Sequence, residues 1–198
     1  MKIEQLISPL DNRYNDKIVD LAINFSESNL NKVRFEIEIE WLIFLCTDGG
    51  KNFPSLSKAH LKNLDLLKVS FSDKSAKRIK SIESKTNHDV KAVEYFIREE
   101  LQKSSNLKNF EHLVHFALTS EDINSLSYAI LLKDAQAIYI KQLDVVVKEI
   151  SKRARAWATI PMLARTHGQA ASPSTLGKEM KVFSERLKRQ RDALTRMT

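Results

Sequence analysis

Four short segments of this chain hold residue types that could do chemistry together. Arg165-Thr166-His167-Gly168-Gln169 puts a titratable imidazole, a small flexible residue and two hydrogen-bonding side chains into five positions. A histidine titrates near neutral pH, which suits proton transfer. Thr86-Asn87-His88-Asp89 sets a second imidazole beside a carboxylate and an amide, although Asn87 or Asp89 would serve equally as a plain helix cap. Thr119-Ser120 puts two hydroxyls at a helix start, where capping and anion binding are both open. Arg13-Tyr14 offers a forked guanidinium and a phenol to a phosphate, or simply tacks an N-terminal arm down. His112 and His115 are three apart, but no cysteine or third histidine accompanies them, so no metal set is expected. The chain has no Walker loop, no Gly-rich dinucleotide turn and no Gly-x-Ser-x-Gly elbow, and no cofactor is expected.

The elements that must position these residues are helical by periodicity. The first two dozen residues read as an irregular arm, with Ser8 to Tyr14 as its turn. Ser28 is placed to cap a helix from about Leu30 to Cys46, closed by Asp48-Gly49-Gly50. Val33 to Trp41 also alternates like a strand, but length and the stripe Leu30, Val33, Ile37, Trp41, Leu45 decide for a helix. After Pro54 comes an amphipathic stretch with Leu56, Leu64, Leu67 and Phe71, then a basic helix over Ser75 to Ser84. A further helix spans Asp89 to Gln102. Thr119 and Asp122 have capping-box spacing and open a stretch without Gly or Pro that reaches Trp157. That predicts one helix about 55 Å long, at roughly 1.5 Å per residue. Ile160-Pro161 ends it, and Leu163 to Ser174 reads as a loop. A last helix starts near Ser174 and carries Met180, Phe183, Leu187, Leu194 and Met197 at heptad-compatible spacing. Its period still runs at the last residues, which reads as a truncated bundle with further helices to come.

Composition agrees with that class. The chain has 198 residues, and 42% of them are hydrophobic, enough for a core and too many for a disordered chain. Only four Gly and four Pro argue against an all-β fold and make hairpins scarce. The sole cysteine, Cys46, cannot form an internal disulfide, and no apolar run approaches the roughly 18 residues of a membrane span. A soluble, cytoplasmic, all-α protein is expected, with a small helical N-terminal domain over 1–110 and the start of a central helical bundle over 111–198. The net charge of +7 is concentrated after residue 150, at Lys152, Arg153, Arg155 and then Lys178 to Arg196. This admits a basic helical module that binds nucleic acid, or a solvated face of a non-catalytic oligomerisation piece. No aromatic residues interleave the arginines as stacking on single strands requires, which makes nucleic acid the weaker reading.

Taken together, the segments resemble the adenylosuccinate lyase family of the fumarase/aspartase superfamily, in its bacterial form and over the whole chain. The residues that carry the resemblance are Ser8 to Tyr14, Thr86 to Tyr95, His115 to Asn124 and Arg165 to Gln169, four segments in family order. The resemblance implies elimination of fumarate from adenylosuccinate, giving AMP, and from the succinyl-carboxamide ribotide of purine biosynthesis. It also implies that His167 is the general acid protonating the departing nitrogen, and that Arg13 and Tyr14 hold the nucleotide phosphate. By the same matching, Asn87, His88 and Asp89 line the site, and Thr119 and Ser120 bind the succinyl carboxylates. Asn12 stands where the family usually has Gly, an exchange that a left-handed turn would tolerate, and Ala170 stands where Pro usually follows the Gln. The family is about twice as long as this chain, its catalytic base is a serine on a mobile loop, and its sites combine segments from three subunits of a homotetramer. The resemblance therefore implies a fragment, inactive alone, without that serine.

Overall fold

An apolar helix that stays apolar on opposite sides must be surrounded by other elements. In a computed structural model, which describes residues 8–197, the first long helix does this. It runs over Glu27–Thr47 (α2), and Ser26 rather than Ser28 caps it, its hydroxyl accepting from the Asn29 amide at 3.1 Å. Val33 and Ile37 pack on one side of α2 against Val90, Ile123 and Leu131. Phe35, Ile39 and Leu42 pack on another, against Leu64, Ile79, Val93, Ile97 and Leu101. Burial on both sides is why Val33 to Trp41 alternates like a strand while being helical. The rings of Phe35, Phe71 and Phe96 meet at centroid distances of 5.4, 5.6 and 6.4 Å and close this second cluster.

The chain divides into two units, Met1–Leu132 and Lys133–Thr198. In the first, part of the expected arm, residues 1–7, lies outside the described residues. The rest is more regular than expected: two 3-10 turns, Pro9–Asp11 and Asn15–Lys17, lead into a short helix, Val19–Phe25 (α1). After α2 come Lys58–Val69 (α3), Asp73–Thr86 (α4) and Asp89–Gln102 (α5), then a 3-10 segment over Lys108–Leu113. Ser57 caps α3, its hydroxyl accepting from the His60 amide. Helix α6, Ser120–Ala156, begins in this unit and continues into the second.

In the second unit the remainder of α6 lies antiparallel to Leu176–Thr195 (α7). The Gln136 amide donates to the Leu194 carbonyl, Arg191 lies 3.6 Å from Asp144, and the Gly177 amide donates to the Trp157 carbonyl at 2.9 Å. The segment read as a loop is instead an antiparallel hairpin, Pro161–Thr166 (β1) with Gln169–Thr175 (β2). Its two-residue turn has φ of 50° at His167 and 75° at Gly168. Positive φ at both central residues is the turn that matches strand twist, and one glycine suffices for it, so glycine scarcity was no bar. Between Leu163 and Arg165 the register slips, β2 spending three residues where β1 spends two. The α7 helix ends at Thr195 with Arg196 as its cap, so Met197 falls outside the heptad stripe and is exposed. Among the described residues, this hairpin is the one departure from helix and connecting turns.

Candidate functional site

The clearest polar assembly of the first unit is built around α2. Arg34 is 4% exposed. Its Nη2 donates to Asp89 Oδ2 at 2.7 Å, its Nε to Asn124 Oδ1 at 3.0 Å and its Nη1 to Asn31 Oδ1 at 3.4 Å. One turn later Glu38, fully buried, accepts from the His115 backbone N–H at 3.1 Å, and His115 Nδ1 lies 2.5 Å from its Oε1. A further turn on, Trp41 Nε1 donates to the Phe116 carbonyl at 2.9 Å. Three polar groups at i, i+4 and i+7 of one helix thus hold the start of α5, the start of α6 and the loop before it.

Each sequence-derived candidate can be placed. Asn87 ends α4 in the left-handed region, φ 50° and ψ 36°, a conformation asparagine accepts better than most residues. It therefore caps the helix before it rather than α5. His88 caps α5, its Nδ1 accepting from the Lys91 amide at 3.2 Å, and lies 3.8 Å from Asp89 Oδ1. Burial raises the Asp89 carboxyl, but the Val90 amide and the Arg34 guanidinium outweigh it and hold the group below the usual carboxylate range. Thr119 precedes α6, and only half of the expected capping box forms: its amide and hydroxyl both donate to Asp122 Oδ2, at 2.7 and 3.1 Å. These bonds hold the Asp122 carboxyl below its ordinary range. Ser120 is the first residue of α6.

Burial pushes the Glu38 carboxyl up. Its bonds to His115 offset part of that rise, while the nearby Glu94 carboxylate adds to it. Glu94 is itself buried and is paired with Lys91 at 2.5 Å and Arg98 at 3.0 Å. His115 and Ala117 have φ of 62° and 59°, so the loop entering α6 is held in a left-handed conformation while α2 pins it.

Asp89 and the first turns of α5 and α6 are thereby brought together. Arg13 and Tyr14 are not. Both are exposed on the N-terminal 3-10 segment, the Arg13 guanidinium 5.4 Å from the Tyr14 ring centroid, with no hydrogen bond to another candidate among the described residues. Asn12 has φ −135°, so this position uses no left-handed turn and the expected reason for Asn in place of Gly does not apply. His167 stands exposed at the tip of the β1–β2 hairpin in the second unit. Ala170 pairs with Arg165 in the ladder. Arg34, Glu38, His115 and Asn124 were missed as participants. No sequence signal marks them out: Lys32, Arg34, Glu36, Glu38 and Glu40 alternate along α2, and Lys32 and Glu36, opposite in charge and also four residues apart, lie toward solvent.

Among the described residues no group of three or more His, Cys, Asp or Glu could hold a metal ion, and no helix is long and apolar enough to cross a membrane. The basic α7 is largely ion-paired, Lys181 and Lys188 with Glu185, and Arg191 with Asp192 and Asp144.

Comparison with known proteins gives a consistent picture. The adenylosuccinate lyase of Haemophilus influenzae is 45% identical over 186 residues, covering 93% of this chain and 41% of the relative. That of Escherichia coli is 44% identical over 189 residues with the same coverage, and that of Legionella pneumophila 41% identical over 190 residues. The chain thus spans about two fifths of the length of these relatives. Among solved structures, a fumarate lyase from a Mesorhizobium species superposes with a TM-score of 0.72 at 18% identity, over 91% of this chain and 39% of that one. The 3-carboxy-cis,cis-muconate lactonizing enzyme of Pseudomonas putida gives 0.70 at 17%, over 89% of this chain and 38% of that one. At such identities these two likenesses speak for the fold. The model of the Lyase family matches residues 12–198, and the chain belongs to that family.

Proposed function

We propose that this chain supplies part of the active site of a carbon–nitrogen lyase that eliminates fumarate from adenylosuccinate, and from the succinyl-carboxamide ribotide of purine biosynthesis, in the cytoplasm. The observation that carries the reading is the convergence of the α5 and α6 N-termini on Arg34, with Asn87, His88 and Asp89 at one and Thr119 and Ser120 at the other. Hydroxyls and the positive ends of helix dipoles suit a substrate that carries several carboxylate and phosphate charges. Similarity at 41–45% identity to enzymes named adenylosuccinate lyase supports the same substrate.

In this reading Thr119 and Ser120 bind the succinyl carboxylates, and Arg13 and Tyr14 take the nucleotide phosphate. His167 gives its proton to the departing nitrogen as the carbon–nitrogen bond breaks. The base that removes the proton from carbon is a serine supplied from outside these 198 residues, so the isolated polypeptide is inactive. Residues 111–198 open the central bundle of a homotetramer. An apolar groove of about 840 Å³ lined by Trp41, Phe44, Leu126 and Ile130 supports assembly, as do exposed Tyr139, Val145 and Phe183 in the second unit.

The test is fumarate release from adenylosuccinate by the full protein that contains these residues. His167→Ala should lower kcat by about 10²- to 10⁴-fold and leave KM comparatively intact, the pattern of an interaction made in the transition state. His88→Ala should change KM at least as much as kcat. Near wild-type kcat in His167→Ala would move the acid elsewhere, with His88 next to be tried.

A further inference from the structure

We infer that Arg34 is the positioning residue of the substrate site: its buried guanidinium sets the spacing and orientation of the two helix N-termini that receive the substrate's anionic groups. The inference rests on the lyase reading above and adds to it a residue that touches no substrate. Arg34 sits in the middle of α2, far in sequence from everything it holds. Asp89 is 55 residues away and Asn124 is 90.

Its three nitrogens are divided with little redundancy. Nη2 takes the first residue of α5, Nε takes the first turns of α6 and Nη1 returns to Asn31 on α2 itself. The planar fork fixes the directions of all three bonds at once. A lysine ammonium at the same place would keep the charge but not those directions. Stability alone is a poor reason for the arrangement, because the Asp89 side chain is half exposed while burial of the guanidinium carries a desolvation cost that an apolar residue would not. Val33, Phe35 and Ile37 on either side show that apolar residues are accommodated in this stretch of α2. What the guanidinium adds is geometry. Groups that bind an anion at a helix terminus lose affinity when displaced by a fraction of a hydrogen-bond length.

The experiment compares Arg34→Lys and Asn124→Ala with wild type in the full protein, reading KM and kcat for fumarate release from adenylosuccinate together with the unfolding midpoint. Arg34→Lys should raise KM by about tenfold or more with kcat within about threefold, since the acid on the β1–β2 hairpin is untouched. Asn124→Ala removes a single acceptor on a half-buried residue and should raise KM about two- to fivefold. It carries the test alone if Arg34→Lys does not fold. The double variant should resemble Arg34→Lys, because both act through one contact. A purely structural guanidinium would lower the midpoint and the active fraction, hence apparent kcat, with KM unchanged, and that result overturns the inference. Wild-type KM in both variants also overturns it and leaves the lyase reading standing. No fumarate release by wild type removes the lyase reading, and the positioning role with it.

Discussion

Replacing Glu38 by alanine should destabilise the protein by about 3 kcal/mol, the low end of the roughly 3–5 kcal/mol typical when one partner of a buried pair is removed. The low end applies for two reasons. His115 is only half-buried, with its side chain 14% exposed, so its orphaned groups can recover some water. The substitution also removes a carboxylate that burial and Glu94 already disfavour. Glu38→Gln is the informative companion. It keeps the volume and an acceptor for the His115 amide, but exchanges a charge-assisted bond of about 1.5–3 kcal/mol for a neutral one near 0.5–1.5 kcal/mol, a loss of about 1 kcal/mol. Urea unfolding at pH 7 followed by circular dichroism reads both. With a slope near 2 kcal/mol per M, the midpoint should fall by about 1.5 M for alanine and about 0.5 M for glutamine. The pH dependence has a definite sign. Because the folded state raises the Glu38 carboxyl, it holds that proton more tightly than the unfolded chain does. The group's contribution is then fully present below the ordinary glutamate range and is lost as pH rises through the raised value. Glu38→Gln should flatten that decline. An alanine variant within about 0.5 kcal/mol of wild type, or a glutamine variant less stable than alanine, would refute the reasoning.

Three further outcomes follow from single positions or surfaces. Gly177→Ala should destabilise by about 1–3 kcal/mol although alanine is the better helix former, because the added Cβ would lie 2.4 Å from the Ala154 carbonyl oxygen and 2.5 Å from the Ala158 nitrogen. Thermal unfolding checks it, and a raised midpoint would mean that α6 and α7 separate easily. Asn87→Gly should be nearly neutral while Asn87→Val should cost about 1–2 kcal/mol, since the position is left-handed, as the same unfolding measurement would show. Duplex DNA should bind only weakly and without sequence preference, and ordinary salt should abolish the binding, because four of the six cations of α7, Lys178, Lys181, Lys188 and Arg191, already have carboxylate partners. Tight, salt-resistant binding in a gel-shift titration would restore the nucleic-acid reading.

The helices were largely legible because their signals are local. The α5 helix has the bounds its apolar spacing predicts, and α6 begins and ends within a residue of its capping signal and of Trp157. Caps were less legible, because Ser26 and Ser28 are chemically equivalent and only the backbone turning out of α1 decides between them. The hairpin was missed for a different reason. Its strands are mostly exposed and their registers slip, so they carry no alternating pattern, and the signal lies wholly in the two positive φ angles at His167 and Gly168. Four candidate segments were visible as residue types, but the sequence could not say that two of them converge, since the group that joins them lies on a third helix.

The burial of two charges on that third helix explains the convergence. An ionised side chain in an apolar helix centre costs several kcal/mol unless it is met by a partner of opposite charge or by hydrogen bonds. Arg34 and Glu38 are four residues apart and could have paired with each other on the surface of α2. Instead each is buried and faces outward to another element, Arg34 to α5 and α6 and Glu38 to the loop before α6. Of the alternating charges Lys32, Arg34, Glu36, Glu38 and Glu40, these two are the buried ones, and each therefore needs a polar partner on another element. The partners come from Asp89, in the segment Thr86 to Asp89, and from His115 and Asn124, which flank Thr119-Ser120. Burial energetics thus connect the core of α2 to the candidate site, and they identify the helix whose variants should disturb that site without touching it.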